Sequence, residues 1–196
     1  MAYFIKEFKY SGDSFSEMTS PSEFNSAIGW LAANFSLLED EISSALICVL
    51  GISIQKGLAL TSEMSFRAKL NVFSALMGAE FRVGGMPFST EDLEDLVAMC
   101  VKSEEFRNRL LHSSWIHDHA KREVRRRKLA TKISTGFKHT EEPLTPGQIL
   151  DIADYVVYTA VAVDELILNC SSVPTFFRGE RAVEAQIPNV CRGWLV

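Results

Sequence analysis

Apolar residues recur every three or four positions from Phe24 through Leu31, Phe35, Leu38, Ile42 and Leu46 to Val49. That spacing predicts one long amphipathic helix. Ser20-Pro21 supplies its start, a capping hydroxyl followed by proline where the missing N–H costs nothing, and Gly51 supplies its stop. Residues 51–60, with glycines at 51 and 57, read as a connector. Thr61 or Ser62 then caps a second helix carrying Met64, Phe66, Leu70, Phe73, Leu76 and Met77, which fails near Gly78 before the Gly84-Gly85-Met86-Pro87 loop. Ser89 or Thr90 caps a third, with acids in its first turns and a buried stripe of Leu93, Leu96, Val97 and Cys100. Continuing that stripe gives Glu104, Arg107 and Leu111, so a cation arrives where an apolar residue is due. Leu129, Thr131 and Ile133, followed by Thr135-Gly136-Phe137, alternate as in a short β-hairpin over about 122–139. Thr145-Pro146 opens the last long helix, striped by Ile149, Ile152, Val156, Thr159 or Ala160, Val163, Ile167 and Cys170, with Pro174 as its stop. The expected fold class is all-α: an antiparallel bundle of four to five helices with a small hairpin insertion. Residues 1–20 form an arm without a clear period, 21–172 the bundle, and 173–196 a tail packing back on it.

Composition narrows the function classes. With 196 residues, 47% of them hydrophobic, the chain has enough apolar surface for one real core. Its four cysteines are widely separated and include no C-x-x-C pair, so a reduced, intracellular protein is expected. No secretory leader is visible, and the apolar run from Ile42 to Ile54 is too short to span a bilayer, so a soluble cytoplasmic protein without membrane partners is expected.

A net charge of −5 argues against a generic nucleic-acid binder, but the charge is unevenly spread. Residues 102–139 hold eleven Lys or Arg against four acids, while the remainder holds nine against twenty-one. An acidic body with a basic segment is an electrostatic footprint for a polyanion, through Arg109, Lys121, Arg122, Arg125, Arg126, Arg127 and Lys128. The competing reading is a solvated hairpin whose cations pair with the protein's own acids.

The basic segment begins beside Arg107-Asn108-x-x-x-His112. Arginine grips a phosphate through a planar fork of donors and keeps its charge; histidine exchanges a proton near neutral pH. Together they are what a metal-free phosphodiester cleavage site needs. The plain alternative is a solvated helix end, where cations suit the negative pole of the helix. His112, His117 and His119 invite a metal reading, but only Asp118 stands near them as a further ligand, and no metal or other cofactor is expected. Ser113 and Ser114 lack the glycine elbow and third residue of a serine nucleophile site.

At this motif the chain resembles the HEPN superfamily, whose pattern is Arg, a polar residue, then His. Ser113 and Trp115 after the His, the position late in an amphipathic helix, and the long first helix with Leu38-Glu39-Asp40-Glu41 extend the resemblance over roughly residues 21–172. Many members carry Gly where this chain has Ser113. The resemblance implies metal-independent RNA cleavage, often by a toxin or phage-defence effector with an antitoxin or immunity protein, and a homodimer with two motifs facing one cleft. It would make His112 the general acid–base, Arg107 the phosphate clamp and Asn108 the residue orienting His112, with Glu39 or Glu41 supporting across the bundle and Ser113 beside the His. The nucleophile would be the RNA's own 2′-hydroxyl. Five helical positions separate Arg107 and His112 by about 140° on an ideal helix, which also favours a second subunit. Some family members only bind or scaffold, so a non-catalytic dimer holding RNA or a partner protein, or an inactive partner of a nuclease, is the alternative.

Overall fold

A computed structural model of the chain describes residues 8, 21–83, 89–118, 123–132 and 136–169. The first helix, α1, runs Pro21–Leu50. Gly51 ends it in the left-handed conformation (φ 62°), its N–H donating to the Cys48 carbonyl at 3.1 Å. Next come α2 (Ile54–Thr61), α3 (Phe66–Val83) and α4 (Thr90–Leu111). Three antiparallel strands, β1 (Ser114–Asp118), β2 (Glu123–Lys132) and β3 (Gly136–Pro143), form one sheet in that order. The last helix is α5, Pro146–Asn169.

The fold is therefore a helical bundle carrying a small sheet. The expected hairpin is its β2–β3 half, and β1 adds a third strand directly after the Arg–His motif. Ser103 lies opposite Thr159 and Phe106 opposite Tyr155, so α4 and α5 run in opposite directions. Arg107 over Phe35 and Trp115 on Phe24 likewise set α4 against the direction of α1. The core fills from all four long helices: Leu31, Leu38 and Ile42 on α1, Phe73 and Met77 on α3, Leu96 and Met99 on α4, and Ile149 and Ile152 on α5 are essentially inaccessible. Phe8 adds its ring to Phe106 and Tyr155. Otherwise the arm over 1–20 lies outside the described residues, as do Cys170, the stop at Pro174 and the tail over 173–196.

Two helix ends match their sequence signals in detail. Ser89 accepts from the Asp92 N–H at 3.1 Å, and the Asp92 carboxylate accepts from the Ser89 N–H at 2.8 Å, a reciprocal box. Thr145 and Gln148 repeat it at the start of α5.

Three expectations need correction. The connector over 51–60 is mostly helix, and Thr61 closes α2 rather than opening the next element: its hydroxyl donates back to the Gly57 carbonyl at 3.0 Å. Gly57 is not a turn. A Cβ there would come within 2.1 Å of Ile47 Cγ1, so its role is to let α2 lie against α1. Substituting Gly57→Ala is expected to destabilise the fold by about 1–3 kcal/mol through overpacking, outweighing the roughly 1 kcal/mol of helix propensity gained; a lowered urea midpoint at unchanged slope is the readout. Second, α3 continues through Gly78, held by buried Met77 and Phe73 on the turns before it.

The third correction concerns the site itself. The buried stripe of α4 runs Leu93, Leu96, Met99, Cys100, Ser103, Phe106 and Leu110. Steps of four and three carry the line from Cys100 to Arg107 with a shift of only about 20°; it is the buried face that turns away, passing through Ser103, Phe106 and Leu110 in place of Glu104, Arg107 and Leu111. Arg107 therefore sits at the edge of the buried face, half-buried, and does not replace a core residue.

Candidate functional site

The site is built where α4 runs out. Leu111 is its last helical residue, and His112 leaves the helix with φ −100° and ψ 16° while its N–H still donates to the Asn108 carbonyl at 3.3 Å. A helix end leaves carbonyls without intrahelical partners, and neighbouring side chains take up the next two. The Ser113 hydroxyl and Arg126 Nη1 both donate to the Arg109 carbonyl, and the Trp115 indole N–H donates to that of Leu110 at 3.2 Å. The Trp115 ring packs on Phe24 of α1 with centroids 4.6 Å apart, which pins the start of β1 to the bundle.

Release of His112 from the helix brings the two halves of the motif together. Arg107 Nη1 stands 3.2 Å from His112 Nε2 and donates to Asn108 Oδ1 at 2.9 Å. Its guanidinium lies over the Phe35 ring, 5.5 Å from the centroid. The 140° separation of an ideal helix is thus closed within one chain, by a long side chain and a frayed end. A guanidinium has no acceptor, so as a hydrogen bond this contact has the arginine donating and Nε2 accepting. Asn108 reaches His112 through its backbone carbonyl, while its side chain holds Arg107; the expected side-chain contact to His112 is replaced by one to the arginine.

Of the two acids expected to support the motif from α1, Glu39 is paired with another helix. Glu39 accepts from Lys69 of α3 at 2.9 Å, with the lysine 8% exposed, so it neutralises a buried ammonium. Glu41 sits half-buried two positions further along α1. Ser113 does stand beside the motif, held on the Arg109 carbonyl.

Four of the cations expected to bind RNA meet acids of the sheet. The β2–β3 register sets Arg126 opposite Glu142 and Arg127 opposite Glu141. Arg126, only 9% exposed, donates to Glu142 Oε2 through Nε at 3.2 Å and Nη2 at 2.9 Å. Arg109 pairs with the other oxygen of the same carboxylate. Partial burial pushes the Glu142 carboxyl up, but the hydrogen bonds and charges of Arg109 and Arg126 outweigh it and hold the group below its ordinary range. Arg127 pairs with Glu141 at 3.0 Å and Arg125 with the same residue at 3.7 Å. Pairing with the protein's own acids is therefore real for these four. Lys128 is placed by its backbone alone, opposite Thr140. Lys121 and Arg122 lie outside the described residues.

Between the end of α4 and the sheet opens a cleft of about 620 Å³. Its lining is Asn108, His112 and the two serines after it, with Arg109, Arg126 and Arg127. Sequence reasoning missed Glu142 and the buried role of Arg126. The signal was present: a hairpin closing near Thr135-Gly136 fixes the register that sets Glu141-Glu142 against Arg127-Arg126. Among the described residues no three His, Cys, Asp or Glu side chains gather as metal ligands, and His119 lies outside them. No described helix is long and apolar enough to cross a membrane. Compared with family models, curated proteins and solved structures, the chain matches none.

Proposed function

We infer that this chain is a metal-independent endoribonuclease of HEPN type, acting through Arg107 and His112 in the manner of a toxin or phage-defence effector. The observation that carries the reading is the 3.2 Å contact between Arg107 Nη1 and His112 Nε2 at a helix end open to solvent. A bound backbone phosphate would take the place of Asn108 and His112 as partner of the guanidinium, freeing the Nε2 lone pair beside it. His112 would then accept the proton of the adjacent ribose 2′-hydroxyl as its oxygen attacks phosphorus. Arg107 would stabilise the added negative charge on the phosphoryl oxygens. The P–O5′ bond breaks, leaving a 2′,3′-cyclic phosphate on one fragment. The departing O5′ takes a proton from an imidazolium, either the same His112 after its first transfer or that of a second copy. A homodimer presenting two such pairs to one strand is part of the proposal, and light scattering at assay concentration is expected to give twice the chain mass.

The test uses labelled RNA, purified wild type and His112→Ala, all in excess EDTA. Wild type is expected to release fragments ending in 2′,3′-cyclic phosphate. The variant should be slower by about 10²–10⁴-fold, the usual worth of a general base. Cleavage that EDTA abolishes would refute the metal-free chemistry. Binding without cleavage, equal in both proteins, is the result that moves the assignment to a non-catalytic RNA module. The donors around the cleft favour that second reading as far as binding alone is concerned.

A further inference from the structure

We propose that the cleft beside the Arg107–His112 pair is a second phosphate subsite, built by Arg109, Arg126 and Arg127, which holds the phosphate next to the scissile one on the same RNA strand. The proposal deepens the nuclease reading and takes from it the identity of the ligand as single-stranded RNA. It stands on the cleft's own chemistry. Among the described residues, those lining it are three arginines, an asparagine, a histidine and two serines, with no carboxylate. Glu141 and Glu142, which pair with these arginines, are not among the lining residues.

The acids orient the guanidinium groups without consuming them. Each arginine has five N–H donors. Among the described residues Arg109 gives one of its nitrogens, Nη2, to Glu142, and Arg127 gives Nε and Nη2 to Glu141. Among the described residues no partner takes Nη1 of either, which leaves it to face a ligand. Their side chains are 37% and 42% exposed, so they can form walls open to solvent. Arg126 is the floor, 9% exposed and fixed by Glu142, Ser113 and the Arg109 carbonyl. Three arginines against two acids leave a net positive charge at a partly desolvated surface. The negative pole of α4 opposes an anion here, but the carbonyls of Asn108, Arg109 and Leu110 already accept hydrogen bonds from within the fold. His112 lines the same cleft, so a strand seated there places one phosphate on the floor while its neighbour approaches the imidazole.

The experiment measures binding rather than cleavage. Full-length His112→Ala, in which cleavage is expected to be about 10²–10⁴-fold slower, is titrated into a fluorescent single-stranded RNA by anisotropy at several KCl concentrations. The same is done with Arg109→Gln/Arg127→Gln added in that background, and with Arg109→Lys/Arg127→Lys. For single strands each phosphate contact contributes about 0.7 to the slope of log K against log salt. The glutamine pair is expected to flatten the slope by about 0.7, and the lysine pair, which keeps the charge, to restore it. A single-stranded DNA of equal length is expected to show the same difference, because the subsite reads phosphate. Arg127→Gln alone, at the most exposed of the three, gives the same direction should the double variant unfold. An unchanged slope in the glutamine variants overturns the subsite, even if wild type cleaves RNA. A flattened slope with no cleavage by wild type overturns the nuclease and leaves the subsite standing.

Discussion

Replacing Arg107 with alanine is expected to slow RNA cleavage by on the order of 10²–10³-fold, comparable to the loss of one preorganised donor at a developing oxyanion, with the helical circular dichroism signal unchanged. The fold should survive because the side chain is half-buried at the edge of the core. Its polar partners, Asn108 and His112, are both exposed. Losing the contact with Phe35 forfeits about 0.5–1 kcal/mol, too little to unfold a bundle with this core. Most of the loss should fall on kcat, since the extra charge that Arg107 meets appears only in the transition state. A rise in KM alone would demote Arg107 to ground-state binding. Arg107→Lys separates charge from shape. A lysine keeps the cation but cannot reach Asn108 and His112 together through a planar fork, so activity between wild type and alanine is expected. Loss of the helical signal in the alanine variant would mean that the arginine is structural.

The long helices were legible because their cores are long. The apolar repeat of α1 specifies one face over about six turns, and Phe24, Leu31, Phe35, Leu38, Ile42 and Leu46 are all buried on it. The stripe of α5 is buried from Ile149 to Ile167 in the same way. Local signals failed where a residue serves a distant neighbour. Gly57 reads as a turn until Ile47 of α1 is seen against it. Arg107 reads as an intruder in the core of α4 until the stripe passes through Phe106 and Leu110 instead. At the site, sequence placed Arg107, Asn108 and His112 on one segment, and the structure brings all three into contact. What no helical wheel contains is that His112 lies beyond the last helical residue, where the angular argument lapses. The arginines of β2 were legible as charge and not as architecture, because charge counting ignores which acids a hairpin register sets opposite them.

Arg126→Met is expected to have the largest effect on stability of any single change at a cation of the basic segment. Arg126 donates to Glu142 through two nitrogens and to Ser113 and the Arg109 carbonyl through a third. Methionine fills much of the space but leaves a carboxylate with one cation fewer and a helix-end carbonyl with one donor fewer. Removing one partner of a fully buried ion pair costs about 3–5 kcal/mol. The cost here should fall below that range, because Glu142 is 40% exposed and can rehydrate. The pH dependence identifies the cause. A carboxyl whose pKa is lower folded than unfolded adds stability above its unfolded value, and that stability is lost as pH falls through the folded value. Glu142 is such a group, displaced downward from an ordinary value of 4.5 by Arg109 and Arg126 against the opposing effect of burial. Wild type should therefore lose stability on acidification below about pH 4.5, and Arg126→Met should lose less over the same interval. Urea midpoints measured at neutral pH and at successive acid steps would show the two curves converging. Parallel curves would mean that the arginine stabilises by packing its stem and not by holding Glu142 ionised. Glu142→Gln should cost less on the Arg126→Met background than on wild type, since only the pairing with Arg109 is left to break.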